Sequence, residues 1–242
     1  MSPAVQNASS SNTSDEHHDA SLFPLPKLRL KVKDLGHPGA SLFFSSIQPT
    51  KTLTRAATNV LRLLYHDPSD PSTTPPPTRS VTLIIRDMSG VAYTMGTDLD
   101  NDHKEIHLAL SHITDTDRAL TCSEITGVLT HELVHCLQWN AQNTCPGGLI
   151  EGIADWVRLR CDLAPPHWKK VVPEKWDAGY QHTAYFLDYL ERRFGSGFVR
   201  RLNEKLRVDK YDEKTFWSEL TCGMTVGDLF KEYVAHLKKE GA

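Results

Sequence analysis

An α+β fold is what this sequence predicts, and three observations predict it. The stretch KLRLKVKDL alternates with period two, and SVTLIIRD is an unbroken apolar run, so residues 27 to 113 gather the strands. After Thr121 the pattern changes to a helical periodicity that persists to about residue 239. A chain of 242 residues, 39% of them hydrophobic, suffices for one substantial core.

Taken in order, residues 1–26 are rich in Ser, Asn, Asp and Pro and lack periodicity, so a disordered arm is expected ahead of a single domain at 27–242. Leu28, Leu30 and Val32 then alternate with Lys27, Arg29, Lys31 and Lys33, as in a half-buried strand. TKTLTRAATNVLRLLY places Leu53, Ala57, Val60, Leu61 and Leu64 on one helical face. Five prolines in DPSDPSTTPPPTR forbid regular structure and make an exposed spacer loop. SVTLIIRD reads as a fully covered central strand, and GVAYTMG and KEIHLALSHI as two more strands. Helices follow at about 123–140, 149–161, 177–194, 197–207, 213–221 and 226–239. The five tryptophans fall among these helices and read as packing residues.

A formal net charge of −3 and a pI near 6.4 leave no electrostatic footprint for nucleic acid or an anionic membrane. No segment approaches the roughly twenty apolar residues that span a bilayer. The start carries no basic region followed by an apolar one, so no secretory signal is read and a cytoplasmic, monomeric protein is expected. Five cysteines without CxxC spacing argue against a disulfide framework and a cysteine zinc knuckle, leaving reduced structural thiols.

The chemistry concentrates in LTHELVHCLQWN. Thr121 and Glu124 have capping-box spacing, which gives this helix a start, and Ile125, Val128, Leu129, Leu133, Cys136 and Leu137 supply its buried face. At 3.6 residues per turn His131 and His135 stand one above the other and reach one tetrahedral Zn2+. Glu132 projects about 100° around from His131, near enough to act on water at the metal without being a ligand. In PGGLIEGIADWVRLR the Pro146-Gly147-Gly148 break turns a second helix back against the first, with Glu151 and Asp155 sharing a face. Glu151 arrives first and has the longer side chain, so it is expected as third ligand. Asp155 is then placed to fix a histidine tautomer, and it is the alternative ligand.

The run from GVLTHELVHCLQWN through CPGGLIEGIADWVRL, LAPPHW and KWDAGYQHTAYFLDYLERRFGSGFVRRLN resembles the plant and fungal basic secretory protein family, a group of zincin-type zinc peptidases. The match is dense from about 123 to 205 and looser from 27 to 122 and to about 237. The resemblance implies a zincin-like fold: a twisted mixed sheet whose edge strand borders the cleft, the HExxH helix, and a mainly helical C-terminal half. On that template KEIHLALSHI is the edge strand that pairs with an extended peptide, with His107 and His112 on its opposite faces. The mild acidity of this chain and its lack of a read signal depart from the family's name.

The expected function is a zinc metallopeptidase, an endopeptidase that hydrolyses peptide bonds through a zinc-activated water with Glu132 as general base. Tyr180 or His182 is a candidate donor to the oxyanion, and Tyr180, near its helix start, is the freer of the two. A zinc-binding interaction protein without activity is the alternative, against which the presence of Glu132 stands. An aminopeptidase would want an acidic anchor for the free amine, and no short motif identifies one.

Overall fold

Leu28, Leu30 and Val32 turn inward from the first strand, β1 (Lys27–Val32), while its lysines and arginine face solvent. The structure is a computed structural model that describes residues 23–241. The arm expected at 1–26 lies outside the described residues as far as residue 22. Its end is packed rather than loose: Phe23 and Leu25 rest on the core, with the Phe23 ring edge-on to Tyr65 at 6.4 Å.

β1 pairs in parallel with β2 (Ser80–Arg86), and β2 in parallel with β4 (His103–Ala109). β3 (Ala92–Gly96) lies antiparallel to β4, so the order is β1-β2-β4-β3, a mixed sheet. Leu30, Leu83 and Ile106 stand in register across three strands, and β2 is buried along nearly its whole length, as its apolar run predicts. Parallel neighbours need a crossover. Here α1 (Pro38–Ser46) and α2 (Pro49–Tyr65) carry the chain from β1 to β2.

Several details differ from the sequence reading. α1 is not predicted, because it is short and its start is set by polar caps. Asp34 Oδ1 accepts from the N–H groups of Gly36 and His37, and His37 Nδ1 accepts from Gly39 with Pro38 in the first helical turn. The strand read through residue 113 stops at Ala109 and becomes α3 (Leu110–Asp115), which buries Leu110 and Ile113. An apolar run of that length suits a strand or a helix equally, and tertiary contact with α1 decides it. β4 lies between β2 and β3 and is interior, so the edge strand on that side of the sheet is β3.

α4 (Thr121–Leu137) packs with α2 over one face of the sheet. Its start is not the expected capping box. Leu120 precedes the first turn, Thr121 Oγ1 donates to the Asp117 carbonyl, and Glu124 is taken by Arg158 instead. α5 (Gly147–Arg160) returns beside α4 and is covered in turn by α6 (Tyr180–Phe194). α6 begins later than the predicted 177 because Gly179 holds a φ of 86°. α7 (Phe198–Val208), α8 (Glu213–Leu220) and α9 (Val226–Glu240) complete the helical half.

One hydrophobic cluster runs from Leu83 and Ile106 of the sheet through Leu64, Leu129 and Leu133 to Phe186, Trp217 and Tyr233. The proline-rich loop does more than space. Thr78 Oγ1 donates to the Cys136 carbonyl at 2.8 Å and Tyr65 Oη to the Leu137 carbonyl, satisfying the C-terminal end of α4. Trp139 Nε1 donates to Thr74 O at 2.7 Å, tying the loop down a second time. All five cysteines are free thiols, and burial pushes Cys145 up to about 12. No helix among the described residues is long and apolar enough to cross a membrane.

Candidate metal centre

His131 and His135 occupy successive turns in the second half of α4, where the sheet and α5 both press on the helix. Their rings meet edge to face at 4.7 Å, and their Nε2 atoms lie 3.0 Å apart. After Leu137 the chain extends at Gln138, and Ala141, Gln142 and Asn143 all adopt left-handed backbone, with φ of 54°, 56° and 66°. That reversal brings α5 alongside α4 in the opposite direction. Glu151, one turn into α5, places Oε2 3.1 Å from His131 Nε2 and 3.5 Å from His135 Nε2.

These three side chains form a cluster able to hold a metal ion, with His131 buried and the other two partly buried. In a tetrahedral site with bonds of about 2.0–2.1 Å the ligand atoms stand roughly 3.3 Å apart. The observed 3.0, 3.1 and 3.5 Å bracket that spacing. Electrostatics point the same way. Burial pulls the His131 imidazolium down, but the hydrogen bonds it donates to Asp155 and Glu151 outweigh it and raise the group to about 9. Glu151 moves oppositely: burial pushes it up, and the two histidines outweigh that to bring it to about 2. Positive charge between these residues is strongly favoured.

Asp155, buried at 3% exposure, sits behind the cluster, with Oδ1 2.6 Å from His131 Nδ1. It faces the back of the ring while Glu151 faces the front. His135 is backed by Gln138, whose amide nitrogen is 2.7 Å from Nδ1 and whose Oε1 is buried without a partner. Turning that amide over puts Oε1 against Nδ1–H and frees the Nε2 lone pair. Glu132 shares the cleft with both histidines and is held from β3, where Thr94 Oγ1 lies 2.7 Å from its Oε2.

All of these line a cleft of about 940 Å³ bounded by Val91–Thr94 on one side and α5 and Tyr180 on the other. The Tyr180 ring lies nearly parallel to that of His131, centroids 6.2 Å apart, and is 58% exposed. Its backbone is left-handed at φ 46°, and the Glu151 charge holds its hydroxyl above the usual phenol range. Gln181 lines the cleft and His182 does not; its Nδ1 is buried without a partner. Of the two strand histidines, His107 stacks on Tyr93 at 4.6 Å on β4, whereas His112 belongs to α3 and lines the cleft beside Glu124.

Sequence reasoning missed Thr94, Gln138 and Arg158. Gln138 had a local signal, three residues after His135. Arg158 shared the face of Glu151 and Asp155; its guanidinium bonds Glu124 at 2.7 Å and the Leu163 carbonyl at 3.0 Å, under the ring of Trp168. Trp168 thus walls the cleft as well as packing.

No curated protein and no solved structure matches the chain. A family model does, over residues 25–233: that of BSP, described as a peptidase of plants and bacteria. The match spans nearly every described element, including the histidine helix and both walls of the cleft, and the chain therefore belongs to this family, the basic secretory protein family its helical run resembles.

Proposed function

We propose that this protein is a zinc-dependent endopeptidase of the zincin type, with His131, His135 and Glu151 as the metal ligands and Glu132 as the general base. The observation that carries the reading is the convergence of the two Nε2 atoms and Oε2 within 3.5 Å, beside a carboxylate that the cluster does not use. Two imidazoles and one carboxylate suit Zn2+ and leave a coordination position open, as catalytic sites do. Bound there, zinc supplies Lewis-acid chemistry, acidifying water and polarising a carbonyl.

The chain's own residues do the rest. Asp155 accepts the Nδ1–H of His131, which directs the Nε2 lone pair to the front of the cluster. Glu132 takes a proton from the attacking water and returns it to the leaving amine. Tyr180, exposed over the cluster, donates its hydroxyl proton as a hydrogen bond to the oxyanion. An extended polypeptide pairs with the open edge of β3, and the cleft continues past the cluster into a side cavity of about 310 Å³ that shares His112, Glu124, Pro165 and His167. Room beyond the cluster favours internal cleavage over removal of a terminal residue.

Zinc content and turnover of an unstructured protein test this for wild type and Glu132→Gln. Wild type is expected to carry one zinc and to cleave, and Glu132→Gln to keep zinc while losing on the order of a hundredfold or more in kcat. A purified protein without stoichiometric zinc overturns the metal assignment; equal cleavage by the variant overturns the general base.

A further inference from the structure

Thr94 is the point where the open sheet edge and the reacting carboxylate meet. The ladder between β3 and β4 is anchored by Ala109 N–H on Val91 O at 2.9 Å and by Thr97 N–H on His103 O at 3.1 Å. Antiparallel pairing alternates bonded and outward-facing residues. Tyr93 and Met95 therefore bond to β4, while Ala92, Thr94 and Gly96 turn their N–H and C=O groups out toward the edge that no described strand occupies. Side chains alternate as well, and that of Thr94 turns toward α4 while Tyr93 and Met95 face solvent.

The Thr94 hydroxyl lies 2.7 Å from Glu132 Oε2 and 3.1 Å from the Glu132 main-chain carbonyl. A hydroxyl has one proton to give, and the shorter bond, to the charged oxygen, takes it. Oε2 is thereby fixed, and Oε1 makes no hydrogen bond to any described residue. A carboxylate torsion is otherwise broad and nearly two-fold, so a single tether decides which oxygen faces the cleft.

We infer that Thr94 is a positioning residue that ties the register of a bound polypeptide to the general base: its main chain pairs with the substrate while its hydroxyl holds Glu132 Oε2, presenting Oε1 to the reacting water. The inference rests on the peptidase reading above. It makes a specific demand on geometry, because a shift of the paired strand by one residue would move the scissile carbonyl relative to a carboxylate that the same strand holds still.

Thr94→Val keeps the shape and removes the donor; Thr94→Ser keeps the donor. With zinc content and thermal stability held equal to wild type, Thr94→Val is expected to lower kcat about tenfold or more with KM changed by less than about twofold, and Thr94→Ser to stay within about threefold. In a Glu132→Gln background Thr94→Val should add no further loss. A Thr94→Val kcat within about twofold of wild type, or an equal loss in both backgrounds, overturns the inference. Should wild type bind zinc and cleave nothing, the peptidase reading fails by itself, and a crystal structure of Thr94→Val then decides this one. A Glu132 carboxylate released to other rotamers supports the tether, and one left in place overturns it.

Discussion

The two faces of α5 do opposite work. Toward α4 it presents Glu151, Asp155 and Arg158, each engaged with a polar partner on the facing helix: the histidine pair, the back of His131, and Glu124. Toward α6 and the segment leading into it, it presents Gly152 and Gly148, where an added Cβ would stand 2.3 Å from Thr183 Cγ2 and 1.9 Å from the Asp177 carbonyl oxygen. The absence of side chains on one face lets α6 lie directly on the helix. A helix pressed so closely from behind holds its carboxylates within the few tenths of an ångström that a chelating site demands.

The comparison breaks most severely at the bare face. Gly148→Ala meets a main-chain oxygen that cannot rotate away and should cost about 3 kcal/mol, with Gly152→Ala nearer 1–2 kcal/mol because it meets a threonine methyl; chemical denaturation of the zinc-free protein reads both. Equal, negligible losses would show that α6 follows α5 rather than backing it. On the charged face, Asp155→Asn keeps the shape and removes the charge behind His131. Zinc affinity, measured by competition with a chelator, should fall about 10- to 100-fold, and an unchanged affinity would reduce Asp155 to a packing residue.

The smallest effect lies farthest along that face. His112 and Arg158 outweigh burial and hold the Glu124 carboxyl below its usual value of 4.5. A depressed folded value gives stability that is present above about pH 4.5 and is lost as pH falls through the depressed one. Glu124→Gln should therefore flatten the acid limb of the stability curve in that window, at the expense of leaving Arg158 with one partner fewer. An acid limb identical to wild type would remove Glu124 from the account.

What was legible in the sequence follows the same division. Residues that meet along one helix or across one turn were legible: His131 with His135 by helical spacing, and Glu151 with Asp155 by the break at Pro146. So were the strands whose periodicity is local. Thr94 was not, because its contact with Glu132 depends on β3 being the edge, and strand order is a property of pairing between distant segments. The resemblance likewise put the edge at KEIHLALSHI, whose strand β4 lies between β2 and β3. Helix starts set by unusual backbone were lost as well: the caps of α1 depend on Asp34 and His37 folding back, and α6 starts at a left-handed tyrosine that no propensity favours. Helix α4 was read past its end for a related reason, since what stops it at Leu137 is a set of donors from the Tyr65–Thr78 region.

That last feature bears on how long such a protein survives in its own company. If the proposed activity holds, a cleft that takes extended polypeptide at a sheet edge is a hazard to any long surface loop on a neighbouring copy. The segment between Tyr65 and Ser80 is long and lies largely at the surface, yet five prolines interrupt it and Thr74 and Thr78 fasten it to the end of the histidine helix. Proline cannot donate to a ladder, and a loop pinned at both positions cannot straighten to enter one. The loop that fixes the end of the histidine helix would, by the same bonds, be expected to resist self-digestion.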